Sequence, residues 1–207
     1  MKTLLKLNSS LYSSAGASAN LADDFVRAWK KEHPQAEVIN RDLARDPVPH
    51  LTEERFGAFL AKPSDRTAEQ QTAVDYSDTL IAELKRADVI VLGLPMYNFG
   101  VPSTLKAYFD HVARAGVTFS YTANGPVGLL TNKKVYVIAT RGGQYAGTPF
   151  DNETPYIRQF LGFLGLTDIE FVYAEGLAMG EEAKNAALAR AKASITELKH
   201  QDWPVAA

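Results

Sequence analysis

Val89-Ile-Val-Leu-Gly-Leu94, followed at once by Pro95-Met-Tyr-Asn-Phe-Gly100, decides the fold. The first half is a continuous apolar run of strand length, rich in β-branched residues and flanked by helical patterns, as expected of a parallel strand covered on both faces. The second half ends that strand. Pro95 lacks the N–H that a sheet ladder needs, Asn98 and Gly100 accept turn conformations, and Pro102 suits the first turn of a helix. In an open α/β sheet, ligands bind outside the carboxyl ends of the strands. A loop of Met96, Tyr97, Asn98 and Phe99 at such an end offers flat apolar surface beside hydrogen-bonding groups. The plainer account is an ordinary turn whose aromatics pack inward.

Upstream, Thr3 to Asn8 reads as the first strand. The hydroxyl-rich segment Ser9 to Ser18 leads from it into a helix with Leu21, Phe25 and Ala28 or Trp29 at helical spacing and Ser18 as its N-cap. Free N–H groups, the helix dipole and the hydroxyls meet there, which suits an anion; capping and a flexible turn are the simpler alternative. The segment contains no G-x-x-x-x-G-K-[ST] and no G-x-G-x-x-G, so it is not a Walker loop and fits a dinucleotide-binding fingerprint poorly. An anion held here is held by neutral donors. Glu37 to Asn40 is the second strand, Arg41 to His50 an irregular proline-rich stretch, and residues 51 to 66 show no clear element. A long helix from Thr67 to Lys85 carries Tyr76, Leu80 and Leu84 on one face.

Downstream, a helix starting near Pro102 turns Leu105, Phe109 and Val112 inward and ends around Ala115-Gly116. Alternating Val117, Phe119 and Tyr121, then Asn124-Gly125, read as a small hairpin over 117–130. Its exposed aromatics are expected to cover a ligand or a partner chain. Lys134 to Ala139 is the fourth strand, ending in Thr140-Arg-Gly-Gly143, where two glycines allow close backbone approach. A short helix from Pro155 to Gly165, a fifth strand from Asp168 to Ala174 and a helix from Glu181 to Lys199 complete the chain. Strand and helix alternate, which predicts a doubly wound five-stranded parallel α/β sheet. The order 2-1-3-4-5 sets strands 1, 3 and 4 side by side, so the three unusual loops share one crevice. A planar cofactor with a phosphate tail suits that crevice, and FMN is the natural candidate.

Composition narrows the classes further. A chain of 207 residues with 46% apolar content is one domain over residues 1–207. A net charge of −2 with no basic block argues against nucleic acid. The sequence has no cysteine, which excludes disulfides, thiolate nucleophiles and cysteine metal sites. No apolar run reaches membrane length and a strand begins almost at the start, so the expectation is a cytoplasmic protein without signal peptide or membrane span. His33, His50, His111 and His200 lack metal-ligand spacing and read as solvated or capping residues, with Asp110-His111 structural. A G-x-S-x-G elbow is absent. A bound flavin accounts for the lack of an acid–base or nucleophile constellation.

Pro95-Met-Tyr-Asn-Phe-Gly100, Ala113-Arg-Ala-Gly-Val-Thr-Phe119, Asn124-Gly-Pro126, Thr140-Arg-Gly-Gly143 and Phe160-Leu-Gly-Phe163 together resemble the bacterial FMN-dependent NADH:azoreductase family, also described as NAD(P)H:quinone oxidoreductases. The resemblance spans essentially the whole chain. It implies a flavodoxin-like fold, a homodimer and one FMN per subunit. It places the FMN phosphate at Ser10, Gly16, Ala17 and Ser18, and the ring between Pro95, Met96, Tyr97, Asn98 and Phe99 on one side and Thr140, Arg141, Gly142 and Gly143 on the other. Asn98, Phe119, Tyr121 and Phe163 would wall the substrate site, within one subunit or across the dimer. Two features depart from the commoner pattern: Gly-Ala-Ser is poor in hydroxyls, and Thr140 stands where Ser is frequent. The implied activity passes two electrons from NADH or NADPH to quinones and cleaves azo compounds to amines, with ping-pong kinetics. No 2′-phosphate site is assignable, Arg55 and Arg66 being only loop candidates. Two rivals are a flavodoxin-type electron carrier, for which the balanced charge is unusual, and a flavin-free interaction protein that kept the fold.

Overall fold

The computed structural model describes residues 2–198. The strands are β1 (Thr3–Asn8), β2 (Glu37–Asp42), β3 (Val89–Pro95), β4 (Phe119–Thr122), β5 (Gly125–Gly128), β6 (Lys134–Thr140) and β7 (Asp168–Ala174). The helices are α1 (Ala17–Glu32), α2 (Glu53–Leu60), α3 (Ala68–Arg86), α4 (Ser103–Val112), α5 (Glu153–Phe163) and α6 (Glu181–Glu197). Five strands form a parallel sheet in the order β2-β1-β3-β6-β7, and β4 and β5 pair as a separate antiparallel hairpin. This is the predicted topology. Lys199 and His200 lie outside the described residues.

Side-chain alternation explains why β3 is apolar throughout and why β1 and β6 are mostly so, Lys6 of β1 being paired with Asp23 of α1. Leu5, Leu7, Ile90, Leu92, Val135 and Val137 face one core with Leu80 and Leu84 of α3, Leu105 and Phe109 of α4, and Ile157 and Leu161 of α5. Leu4, Val89, Val91, Tyr136 and Ile138 face the opposite core, against Leu21, Phe25 and Trp29 of α1 and Ala191 and Ile195 of α6. With both faces covered, both parities of a strand favour apolar residues, and a charge such as Lys6 needs a partner. Burial of one such aliphatic side chain contributes about 1.5–3 kcal/mol.

Two sequence expectations need correction here. Residues 51–66 hold α2, capped by the Thr52 hydroxyl accepting the Arg55 N–H at 3.4 Å. The helix before the hairpin ends at Val112 rather than at Ala115-Gly116. The start of α3 is firm: Thr67 and Gln70 make both bonds of a capping box. No described helix is long and apolar enough to cross a membrane.

Candidate functional site

The carboxyl ends of β1, β3 and β6 meet in one crevice, because these strands are neighbours in the sheet. On the first side, β1 gives way to a tight helical turn at Ser13–Ala15 and then to α1. The N-cap of α1 is Gly16, in extended conformation at φ −72°, and not Ser18 as the sequence suggested. Ser18 instead lies in the first turn, 1% exposed, and its Oγ has no hydrogen-bond partner. An unpaired buried hydroxyl costs about 1–3 kcal/mol. Beside it are the N–H groups of the first turn, including that of Ala17, which an α-helix leaves unbonded. Unbonded N–H groups at a helix start, with a hydroxyl in the same turn, suit an anion.

Close packing shapes this side. A Cβ on Gly16 would lie 2.1 Å from Ser10 Oγ and 2.8 Å from Ser10 Cβ. A Cβ on Gly93 of β3 would lie 3.2 Å from the Ser18 carbonyl oxygen, so this glycine lets the helix start settle onto the sheet. Ser9 donates its hydroxyl to the Gly93 carbonyl at 2.8 Å, Asn8 Oδ1 accepts the Ser10 N–H, and Ser10 Oγ accepts the Tyr12 N–H. Ser13 donates to the Asp42 carboxylate. Burial raises the Asp42 pKa, but the Ser13 hydroxyl and the Ala44 N–H outweigh it and hold the group below its ordinary value.

On the second side, Tyr97 and Gly100 exchange both backbone hydrogen bonds at 3.0 Å, enclosing Asn98 and Phe99 at φ +50° and +63°. Two consecutive left-handed residues form the tight turn that normally requires Asn-Gly. Asn98 suits it; Phe99 does not, at a cost of about 1–2 kcal/mol. Strain of this kind persists where function holds it in place. Phe99 is half exposed and meets the ring of Tyr145 edge-on at 5.6 Å. Leu11 N–H reaches the Tyr97 hydroxyl, and Met96 N–H donates to the Thr140 carbonyl, so the three loops are tied together.

On the third side, the chain after β6 is zipped to the chain after β7. Arg141 N–H donates to the Ala174 carbonyl, while the carbonyls of Arg141, Gly142 and Gly143 accept the N–H groups of Leu177, Ala178 and Gly176 at 2.9–3.1 Å. The N–H groups of Gly142, Gly143 and Gln144 are left without a partner among the described residues. Arg141 departs from its expected role at the ring. Its guanidinium is fully buried away from the crevice, on Asp151, Glu153, Glu175 and Thr154, with the Tyr173 ring 5.1 Å away.

One guanidinium thus faces three carboxylates, and the deepest of them responds. Glu153 is 1% exposed and its Oε1 has no partner. Burial, opposed by Arg141, pushes its pKa up to about 8 from 4.5. The folded chain therefore holds a proton that the unfolded chain releases, and stability falls as pH rises from 4.5 towards 8. Glu153→Gln removes that titration. The variant is expected to exceed the parent near pH 8.5 by about 2–4 kcal/mol, with the two melting profiles converging below about pH 4.5. Parallel profiles across that range would show that Glu153 is ionised in the fold.

Phe119, Tyr121 and Phe163 are not in the crevice of the same chain. The hairpin is anchored at the opposite, amino end of the sheet, where Leu130 N–H donates to the Leu164 carbonyl and Gly128 abuts Gly165. Phe119, expected to be exposed, is 7% exposed and packs on Phe163 at 4.3 Å; Tyr121 is exposed. His111 is buried, not solvated, with Nδ1 3.0 Å from the Ala107 carbonyl and the Phe59 and Tyr76 rings edge-on. His33 fits its capping role, Nδ1 lying 3.2 Å from the Trp29 carbonyl. No group of metal ligands occurs among the described residues. A cleft of about 480 Å³ lies apart from the crevice, lined by Asp46, Glu54, Arg55, Glu69 and Tyr76. Its charges are mixed, and none of its lining residues has a buried polar side-chain atom left without a partner among the described residues.

A family model described as flavodoxin-like fold matches residues 1–198. The FMN-dependent NADH:quinone oxidoreductase of Cellvibrio japonicus is 56% identical over 197 residues, covering 95% of this chain and 98% of that protein. FMN-dependent NADH:quinone oxidoreductase 6 of Burkholderia lata is 54% identical over 195 residues, covering 94% and 98%. Among solved structures, an FMN-dependent NADH-azoreductase of Bacillus anthracis in complex with FMN superposes with a TM-score of 0.85 at 25% identity, covering 97% of this chain and 100% of that one.

Proposed function

From the premise that the chain belongs to the flavodoxin-like fold family, we propose that it is an FMN-dependent oxidoreductase that takes electrons from NADH and reduces quinones, with azo compounds as further acceptors. The observation that carries this reading is the pairing of two unsatisfied donor sets in one crevice. The unpartnered Ser18 hydroxyl and the α1 N-terminus follow β1, and the unpartnered N–H groups of residues 142–144 follow β6, so both sets lie at the carboxyl end of the same sheet. The first set fits a phosphate, with Ser10, Gly16, Ala17 and Ser18 around it. The second would help hold the flavin ring, with Thr140, Gly142 and Gly143 on that side and Pro95, Met96, Tyr97, Asn98 and Phe99 on the other. Bound there, FMN supplies two-electron redox chemistry between NADH and an acceptor.

The residues of the chain do the rest. The Asn98-Phe99 turn and Tyr145 present flat neutral surface on which an aromatic acceptor stacks and from which water is excluded. The nearby charges are held by partners of their own, Arg141 by its carboxylates and Asp42 by the Ser13 hydroxyl. The crevice therefore selects planar, uncharged rings, which describes quinones and azo dyes. NADH and acceptor use the same opening in turn, so initial rates should give parallel double-reciprocal lines. The whole chain works as one domain in the cytoplasm. As a homodimer, one subunit brings Tyr121, Phe119 and Phe163 to the crevice of the other. That arrangement is supported by their distance from their own crevice and by the exposed Tyr121, Val127 and Leu129 on the hairpin.

The test is the visible spectrum of purified protein, before and after anaerobic NADH and then after menadione. Flavin bands that bleach with NADH and return with quinone are the expected result. Bands indifferent to NADH would favour an electron carrier, and a chain that takes up no FMN would refute the cofactor reading.

A further inference from the structure

The segment from Gly142 to Ala146 has no regular structure of its own, yet it follows β6 at the crevice, carries three N–H groups without a partner among the described residues and sets Tyr145 against Phe99. Two side chains behind it account for its path. Glu175, immediately after β7, uses a single carboxylate oxygen, Oε1, to accept the N–H groups of Tyr145 and Ala146, each at 2.9 Å. The same oxygen accepts from Arg141 Nη1 at 3.1 Å. Arg141 anchors that oxygen in turn. Its Nη2 donates to Asp151 at 2.8 Å and Thr154 at 2.9 Å, tying the loop to the start of α5. Thr154 Oγ1 and the Tyr173 hydroxyl lie 3.1 Å apart, closing the circuit back to β7.

We propose that Glu175 and Arg141 are positioning residues of the cofactor site: they touch neither cofactor nor substrate, and they fix the loop after β6 in the shape that binds. The proposal rests on the FMN reading above. Its physical basis is pre-organisation. A loop already held in the binding shape needs no ordering when the cofactor arrives, whereas a slack loop must be ordered at the expense of affinity. Buried, hydrogen-bonded charges specify one geometry because each alternative leaves a charge without a partner.

The test removes Glu175 and leaves Arg141 paired with the Asp151 carboxylate, so the buried charge stays compensated and the chain folds. In apoprotein, Glu175→Ala is expected to raise hydrogen exchange at the Tyr145 and Ala146 amides at least tenfold. Its FMN dissociation constant, read from quenching of flavin fluorescence, should rise about tenfold. Glu175→Gln keeps an oxygen that accepts the same N–H groups and should recover most of both losses. Glu153→Gln, at the same hub but with no contact to residues 142–146, should leave FMN affinity at neutral pH within about twofold of the parent. A Glu175→Ala chain that binds FMN as tightly as the parent would overturn the proposal, and so would equal weakening by Glu153→Gln. If the parent itself takes up no FMN, the cofactor reading falls and the positioning role with it. A parent that binds beside an unaffected variant overturns the positioning role alone.

Discussion

A Gly16→Ala chain is expected to fold with near-normal stability and to lose roughly 100-fold in FMN affinity, a difference of about 2.7 kcal/mol. The backbone is not the obstacle, because φ −72° and ψ 143° at Gly16 are ordinary for alanine. The obstacle is Ser10. A methyl group at position 16 would sit 2.1 Å from its Oγ and 2.8 Å from its Cβ. Rotating the hydroxyl clears the first contact and leaves the second, so the loop after β1 must move outward. It takes the Ser10 N–H to Asn8 bond and the Tyr12 N–H to Ser10 bond with it. That loop and Gly16 form the start of α1, two residues before the unpaired Ser18 hydroxyl, where the phosphate would be held. The core is untouched. Equilibrium titration with FMN measures the loss, thermal unfolding of the apoprotein checks the fold, and Ser10→Gly added to Gly16→Ala should restore part of the affinity. Unchanged FMN binding by the single variant would place the phosphate elsewhere.

Gly128→Ala should be the most damaging single methyl in the chain for stability. Its Cβ would lie 2.0 Å from the Gly165 nitrogen and 2.2 Å from the Leu164 carbonyl carbon. Both are backbone atoms, so no side-chain rotation relieves the clash. Gly165 cannot step aside freely either: it holds φ +98° at the end of α5, and its own Cβ direction faces the Gly128 carbonyl. The hairpin must therefore lift from α5, losing the Leu130–Leu164 hydrogen bond and uncovering Phe119 and Phe163. Overpacking that cannot relax costs about 1–3 kcal/mol or more, and exposing two aromatics adds to it. A loss of about 4 kcal/mol corresponds to a Tm lowered by roughly 8–16 °C in a chain of this size. Gly57→Ala is the control, in a helix with nothing within 4 Å of the new methyl, and should be neutral or slightly stabilising. Equal melting temperatures for the two variants would mean that the hairpin is not packed on α5.

Much of this architecture was legible in the sequence because its signals are local. The buried strands carry unbroken apolar runs, and β7 falls where its seven residues read as a strand. The three loops stood out because hydroxyls, aromatics and glycines are each concentrated in a few consecutive residues. What failed to show depends on tertiary contacts. Helix α2 is only eight residues long; Phe56, Phe59 and Leu60 stand at helical spacing and Thr52 before Glu53-Glu54 was a usable start signal, but Phe56 and Leu60 are exposed, so the stripe marks no core. Gly16 and Ser18 compete as the cap, and only the contact with Ser10 shows why glycine takes the position. The partners of Arg141 lie 10, 12 and 34 residues away, a spacing without pattern. Alternation in the hairpin marked Phe119 and Tyr121 as sharing a face, yet Phe119 is covered by α5 and Tyr121 is not.

The left-handed turn at Asn98 and Phe99 sets two selective pressures against each other at one codon. A library varied at position 99 and screened by heat alone should enrich glycine, which adopts φ +63° without a Cβ penalty. The same library screened for quinone turnover should retain the aromatic, because the ring that meets Tyr145 at 5.6 Å forms a wall of the crevice. Laboratory breeding of a hardier catalyst from this chain would therefore do well to leave residue 99 alone and look for its gains in the outer helices.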